Sequence, residues 1–241
     1  MKHSKTQIKK SRALRGAFIT FEGTEGSGKS TQCRRLAQAL RGQGYYVLET
    51  REPGGTPLAE AIRGLFLATS KTNIHKEAIT PACESMLIFA ARAQHVAHVI
   101  QPALEKGMVV LCDRFFDSTL AYQGYARGLE KTFLYEAQQF ATNGLQPHFT
   151  FFLDLPIQDG LARRRQSNKQ DRLDQESLRF HQRVRRGFLA LAKHDPMRIH
   201  TVDARQSPQT LASHIASVAE QLLQDSRSLH LLRSSKKKSV E

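Results

Sequence analysis

Ala17-Phe18-Ile19-Thr20-Phe21-Glu22 runs straight into Gly23-Thr24-Glu25-Gly26-Ser27-Gly28-Lys29-Ser30-Thr31, and a helical pattern resumes at once. An apolar run that stops on a glycine-spaced turn and restarts as helix constrains the fold more than any other feature. Gly23, Gly26 and Gly28 open backbone conformations closed to other residues, so several N–H groups can point into one concavity. A helix starting at Lys29 aims its free amides, and the positive end of its dipole, at the same place. This is a P-loop, a cradle for a nucleoside triphosphate. Gly23, Gly26, Ser27, Gly28 and Thr31 form it, Lys29 reaches the outer phosphates, and the Ser30 hydroxyl is placed for Mg²⁺. A nucleoside triphosphate with Mg²⁺ is the ligand implied. The motif alone does not choose between a kinase, a GTPase, a motor and a transporter ATPase.

Short apolar runs near 17–22, 45–50, 108–112, 148–153 and 197–202 predict strands. Between them, helical patterns cover 29–42, 57–67, 84–105, 116–126, 131–142, 157–168, 175–193 and 208–224. Strands alternating with helices predict an α/β protein: the three-layer P-loop NTPase fold, a five-stranded parallel sheet with helices on both faces.

A chain of 241 residues, 40% hydrophobic, can bury one full core. Cys33, Cys83 and Cys112 are odd in number and lack metal-type spacing, so they read as small buried hydrophobes in a reducing compartment. Without a signal-like or membrane-length apolar run, the chain reads as soluble and cytoplasmic, with no membrane partner. Its net charge is +14, but residues 1–15 hold six Lys or Arg and no acid, and 226–241 hold five with one acid. That distribution argues against a specific nucleic-acid role. It divides the chain into a basic extension (1–15), one catalytic domain (16–225) and a basic tail (226–241), both ends polar and poorly ordered.

Ligands of such sheets bind at the carboxyl ends of the strands. The residues found there are the P-loop, Arg51-Glu52-Pro53-Gly54-Gly55, Asp113-Arg114, Asp154-Leu155-Pro156 and Asp203-Ala204-Arg205. Asp113 reads as the second holder of Mg²⁺, the competing role being a helix cap. Arg51 and Arg114 bring planar guanidinium forks suited to a phosphate. A P-loop with further arginines on other strand ends implies a second phosphorylated substrate, and hence a phosphotransferase.

Thr50-Arg51-Glu52-Pro53-Gly54-Gly55-Thr56, Leu87-Ile88-Phe89-Ala90-Ala91-Arg92, Asp113-Arg114-Phe115, Ser118-Thr119-Leu120-Ala121-Tyr122-Gln123-Gly124 and Asp171-Arg172 follow one another in an order and spacing that resembles the bacterial thymidylate kinase family. The resemblance covers residues 16–224. It implies transfer of the ATP γ-phosphate to dTMP, with Mg²⁺, in a homodimer packed through long helices such as 84–105. Carried over by position, Phe89 stacks on the thymine and Arg92 bonds its edge. Pro53 walls the methyl group, Ser118, Thr119, Tyr122 and Gln123 contact base and sugar, and Arg51 and Arg114 grip the dTMP phosphate.

Glu25 in the P-loop resembles the subtype whose catalytic arginines sit on a mobile lid. The lid falls at about 160–174, with Arg163, Arg164, Arg165 and Arg172 as its cations; Arg163 is the first catalytic candidate and Arg172 the second. Glu25 then contacts the sugar, the metal shell or a lid arginine. Two other readings stay open from sequence: a kinase of another pyrimidine monophosphate, and a nucleotide-binding protein acting on nucleic acid through its basic tails.

Overall fold

A computed structural model of the chain describes residues 16–68, 77–166 and 171–238, with side chains as far as 224. The N-terminal extension and the lid stretch Ser167–Gln170 lie outside the described residues. Five strands, β1 (Ala17–Glu22), β2 (Val47–Arg51), β3 (Val109–Asp113), β4 (Phe149–Asp154) and β5 (Ile199–Asp203), form one parallel sheet in the order β2-β3-β1-β4-β5. Each lies within about two residues of its sequence expectation, because each is an apolar run bounded by turn-forming residues.

Side chains alternate cleanly between the two faces, as a fully covered parallel sheet requires. Phe18, Val110, Cys112 and Phe152 point to one core, and Ile19, Phe21, Val109, Leu111, Phe151 and Leu153 to the other. The second face is closed by α1 (Lys29–Gly42), through Leu36, Ala37 and Leu40, and by α9 (Pro208–Lys238), through Leu211, Ile215 and Ala219. The first is closed by α3 (Pro81–His95) and α8 (Leu178–His194), where Phe188 stacks on Phe152 at 5.2 Å.

The expected helix 84–105 is α3, a wider π-helical turn at Val96–Ile100, and α4 (Gln101–Glu105). Pro102 has no N–H and its ring excludes the carbonyl four residues back, so the helix widens just before it. The segment 116–126 likewise begins as α5 (Phe116–Thr119) and continues as a π-helical turn, Leu120–Ala126. Around these lie α2 (Pro57–Leu67), α6 (Lys131–Thr142) and α7 (Ile157–Arg165).

From 226 the basic tail continues α9 in helical form to Lys238. One expectation needs correction. Cys33 and Cys112 are buried, but Cys83 is exposed in the first turn of α3. Among the described residues no helix is long and apolar enough to cross a membrane.

Candidate active site

Register brings the site together. Phe21 of β1 and Arg51 of β2 both pair with Asp113 of β3, so the loops leaving these strands start at one level. In the P-loop, Gly26 and Gly28 have φ of 72° and 92°, and a Cβ on Gly28 would meet nothing within 4 Å. The open space lies over the N-terminus of α1. Lys29 folds back beneath it, Nζ donating to the Thr24 carbonyl at 2.8 Å, with Ser27 Oγ at 3.4 Å. Burial, and then neighbouring Arg114, lower the Lys29 ammonium from 10.5 to about 8. The Ser30 hydroxyl donates directly to Asp113 Oδ2.

Arg114 holds a left-handed conformation, φ 72°, uncommon for a residue with a side chain and a mark of strain kept at functional sites. Its guanidinium donates to the Gly23 carbonyl (2.9 Å), Ser118 Oγ (3.0 Å) and Glu25 Oε1 (3.2 Å), and lies 5.2 Å from the centre of the Tyr122 ring. Tyr122 donates to the same Glu25 oxygen at 2.5 Å. His181 Nδ1 stands 3.3 Å from Glu25 Oε2 but misaligned, and neither ring nitrogen has a hydrogen-bond partner among the described residues. Burial opposes the Glu25 charge, yet His181, Arg114, Lys29 and Tyr122 together hold its carboxyl well below the usual range.

Two adjoining cavities open at these strand ends, sharing Glu52, Pro53, Phe66, Arg114 and Leu173. The polar one is lined by Glu25, Gly26, Gly28, Lys29, Ser30, Thr31, Arg51, Asp113 and Arg163. The other is mainly apolar, with Arg92, Ser118, Thr119, Tyr122 and Gln123 in its wall. Arg51 is exposed and paired with Glu60 at 3.1 Å. Arg92 is buried, donating to Glu52 (2.6 Å), Gln138 (3.0 Å) and Thr119 (3.0 Å).

The structure moves two expected residues. Phe89 lies in the core and lines neither cavity; the apolar wall is Ile88, one residue back on α3, with Phe66 from α2. A helix turns about 100° per residue, so neighbours cannot share a direction. Arg172 also lines neither: it donates to Glu84 at 2.7 Å and to the Phe66 carbonyl at 3.2 Å, tying the segment after residue 171 to α2 and α3. Of the lid arginines, Arg163 and Arg164 line the polar cavity. Arg164 is gripped by Asp174 at 2.9 Å, whereas Arg163 reaches the Ala204 carbonyl at 3.3 Å. Asp154 and Asp203 spend their carboxylates on Arg185 and Arg205.

Sequence reading missed several supports. Glu22 is wholly buried, accepting from the Phe115 amide (2.8 Å) and Ser118 (2.5 Å), so it pins the start of α5 to β1. Burial and then Asp117 raise its carboxyl to about 8. Glu52 holds Arg92, Glu84 holds Gln123, and Arg63 joins the polar cavity. For Glu22 and Glu52 the one sequence signal was a place beside or within a motif; Glu52 and Arg92 are 40 positions apart, Glu84 and Gln123 39.

A parallel sheet of this order, with a P-loop, a carboxylate on the neighbouring strand and an arginine joining a phosphate cavity to an apolar one, defines a P-loop nucleotide kinase. Comparison narrows the class. A thymidylate kinase family model matches residues 21–215. The thymidylate kinase of Thermomicrobium roseum is 51% identical over 213 residues, covering 88% of this chain and 98% of the relative. That of Geobacter sulfurreducens is 47% identical over 209 residues, covering 84% and 96%. A crystal structure of thymidylate kinase from Ehrlichia chaffeensis is similar with TM-score 0.67 at 31% identity, covering 85% of this chain and 98% of that one. The chain belongs to the thymidylate kinase family, and phosphorylation of dTMP is its reaction.

Proposed function

We propose that ATP places its phosphates on the P-loop, that dTMP puts its base in the apolar cavity, and that the two phosphates meet at Arg114. The observation that carries this reading is that Arg114 lines both cavities while held at three points by Gly23, Ser118 and Glu25. A fixed fork there grips the acceptor phosphate and aligns it with the γ-phosphate, so that much of the barrier is met by positioning. Arg51 and Pro53, on the loop after β2, close the same junction. Lys29 and Arg163 meet charge on the transferring group, and the lid excludes water.

Mg²⁺ fits the donors present: a serine hydroxyl and a carboxylate in contact are hard oxygen ligands. Among the described residues no group of three or more His, Cys, Asp or Glu makes an all-protein cage, in keeping with a metal completed by phosphates and water. Bound there, Mg²⁺ neutralises charge on the nucleotide phosphates. Ser30 and Asp113 are the residues that would hold it.

The bonds of Glu25 with Tyr122 and Arg114 support a role for it on the sugar and acceptor side. Exposed Leu58 and Leu65 on α2, Met86 on α3, and Phe133, Tyr135 and Phe140 on α6 support a homodimer through those helices. The compartment read is the cytoplasm. A coupled assay with dTMP, dUMP, UMP, CMP, AMP and GMP tests the whole reading: dTMP is expected to be preferred, and ATP turnover indifferent to all six would reject it.

A further inference from the structure

Glu84, in the first turn of α3, is fully buried yet touches neither cavity. Four donors converge on it. Oε1 accepts from Gln123 Nε2 at 2.7 Å and Arg127 Nε at 3.3 Å; Oε2 accepts from Arg172 Nη2 at 2.7 Å and Arg127 Nη2 at 3.3 Å. Burial works against its charge, but Gln123, Arg127 and Arg172 hold the carboxyl below its ordinary range, so it is ionised and can only accept. A carboxylate that only accepts determines which end of the Gln123 amide it meets: the NH₂. Gln123 lines the apolar cavity, and among the described residues that bond is the one hydrogen bond its side chain makes. Among the described residues the amide oxygen therefore has no partner, an acceptor on a residue of the cavity wall that Arg92 also lines.

We propose that Glu84 is a positioning residue for base selection: by taking the Gln123 NH₂ it turns the Gln123 carbonyl oxygen toward the base, where it accepts from the ring N–H of an imide pyrimidine and repels bases with an unprotonated ring nitrogen there. This rests on the reading that the base occupies the apolar cavity. The same carboxylate, through Arg172, ties that choice to the far end of the lid.

The test uses the full chain and compares kcat/KM for dTMP with that for dCMP, or with the dCMP inhibition constant where turnover is too slow. In Glu84→Gln the neutral amide can present either end, freeing Gln123 to turn over. The preference for dTMP is expected to fall about tenfold or more, since rejection by a correctly oriented buried polar group is a large effect. Arg127→Gln removes an ion pair from Glu84 but leaves its carboxylate on Gln123, so thermal stability drops while the preference stays within about twofold. If Glu84→Gln does not fold by circular dichroism, Glu84→Asp is measured instead: it keeps the charge for the arginines and withdraws it from Gln123, and the preference falls likewise. An unchanged preference in a folded Glu84 variant overturns the proposal. Gln123→Leu separates the two ideas: if it leaves the dTMP KM unchanged, the base-cavity reading itself fails.

Discussion

Lys29 is held at a balance point. Its ammonium is lowered to about 8 by burial and by Arg114, so the free protein loses that charge as pH rises through about 8, well before an exposed lysine would. The free-enzyme profile follows: kcat/KM for ATP declines above about pH 8, while a profile flat to pH 10 would show the charge retained. Lys29→Ala removes the charge at every pH and is expected to lower kcat by about 10²–10³ with the circular dichroism spectrum intact. Glu22 also sits near 8, but from the other direction. Its native carboxyl keeps a proton the unfolded chain loses between about 4.5 and 8, so it makes stability fall as pH rises across that window. Glu22→Gln mimics the protonated form. It is expected to flatten the pH dependence of the urea midpoint there, and to leave the alkaline limb of the ATP profile in place.

At the scale of the element, two glycines root the proposed lid. A Cβ on Gly160 of α7 would stand 2.4 Å from the Glu25 carbonyl, and one on Gly26 would stand 2.1 Å from the Gly160 carbonyl. Alanine within a helix normally stabilises by up to about 1 kcal/mol relative to glycine. Here the backbone of the P-loop occupies the space, so Gly160→Ala is expected to lower both Tm and kcat; a raised Tm would show that the two segments separate without strain. Beyond that root the different partners of Arg163 and Arg172 predict different roles. Arg163→Ala is expected to cost about 10³ or more in kcat at saturating ATP and dTMP, the scale of a cation on a transferring phosphoryl group. The pairing of Arg172 with Glu84 predicts a milder loss at that position, with lower thermal stability. Comparable kcat losses at both would place Arg172 on the phosphates during turnover.

For the whole molecule, activity is expected to reside between residues 16 and 225. Deleting 1–14 and 227–241 should leave dTMP phosphorylation close to intact, because every residue lining the two cavities lies between Glu25 and Leu173. Loss of activity in a folded truncated chain would assign the basic ends to the site. Selectivity against dUMP is bounded by one methyl group beside Pro53, about 1–3 kcal/mol, so dUMP should be a poorer but measurable substrate.

What the chain alone determined is local. The P-loop, the five strands, the helix starts and the residues at the strand ends follow from glycine spacing, apolar period and turn chemistry, all of which act within a few residues. Family motifs then named the reaction. Tertiary structure decided directions and partners. It put Ile88 rather than Phe89 on the cavity, because one residue is a third of a helical turn. It gave Arg172 to Glu84, 88 positions away, and Ser118 to Glu22, 96 away. Such pairings leave no periodic trace in a sequence, since burial makes a lone carboxylate costly and only the packed fold shows which donor satisfies it.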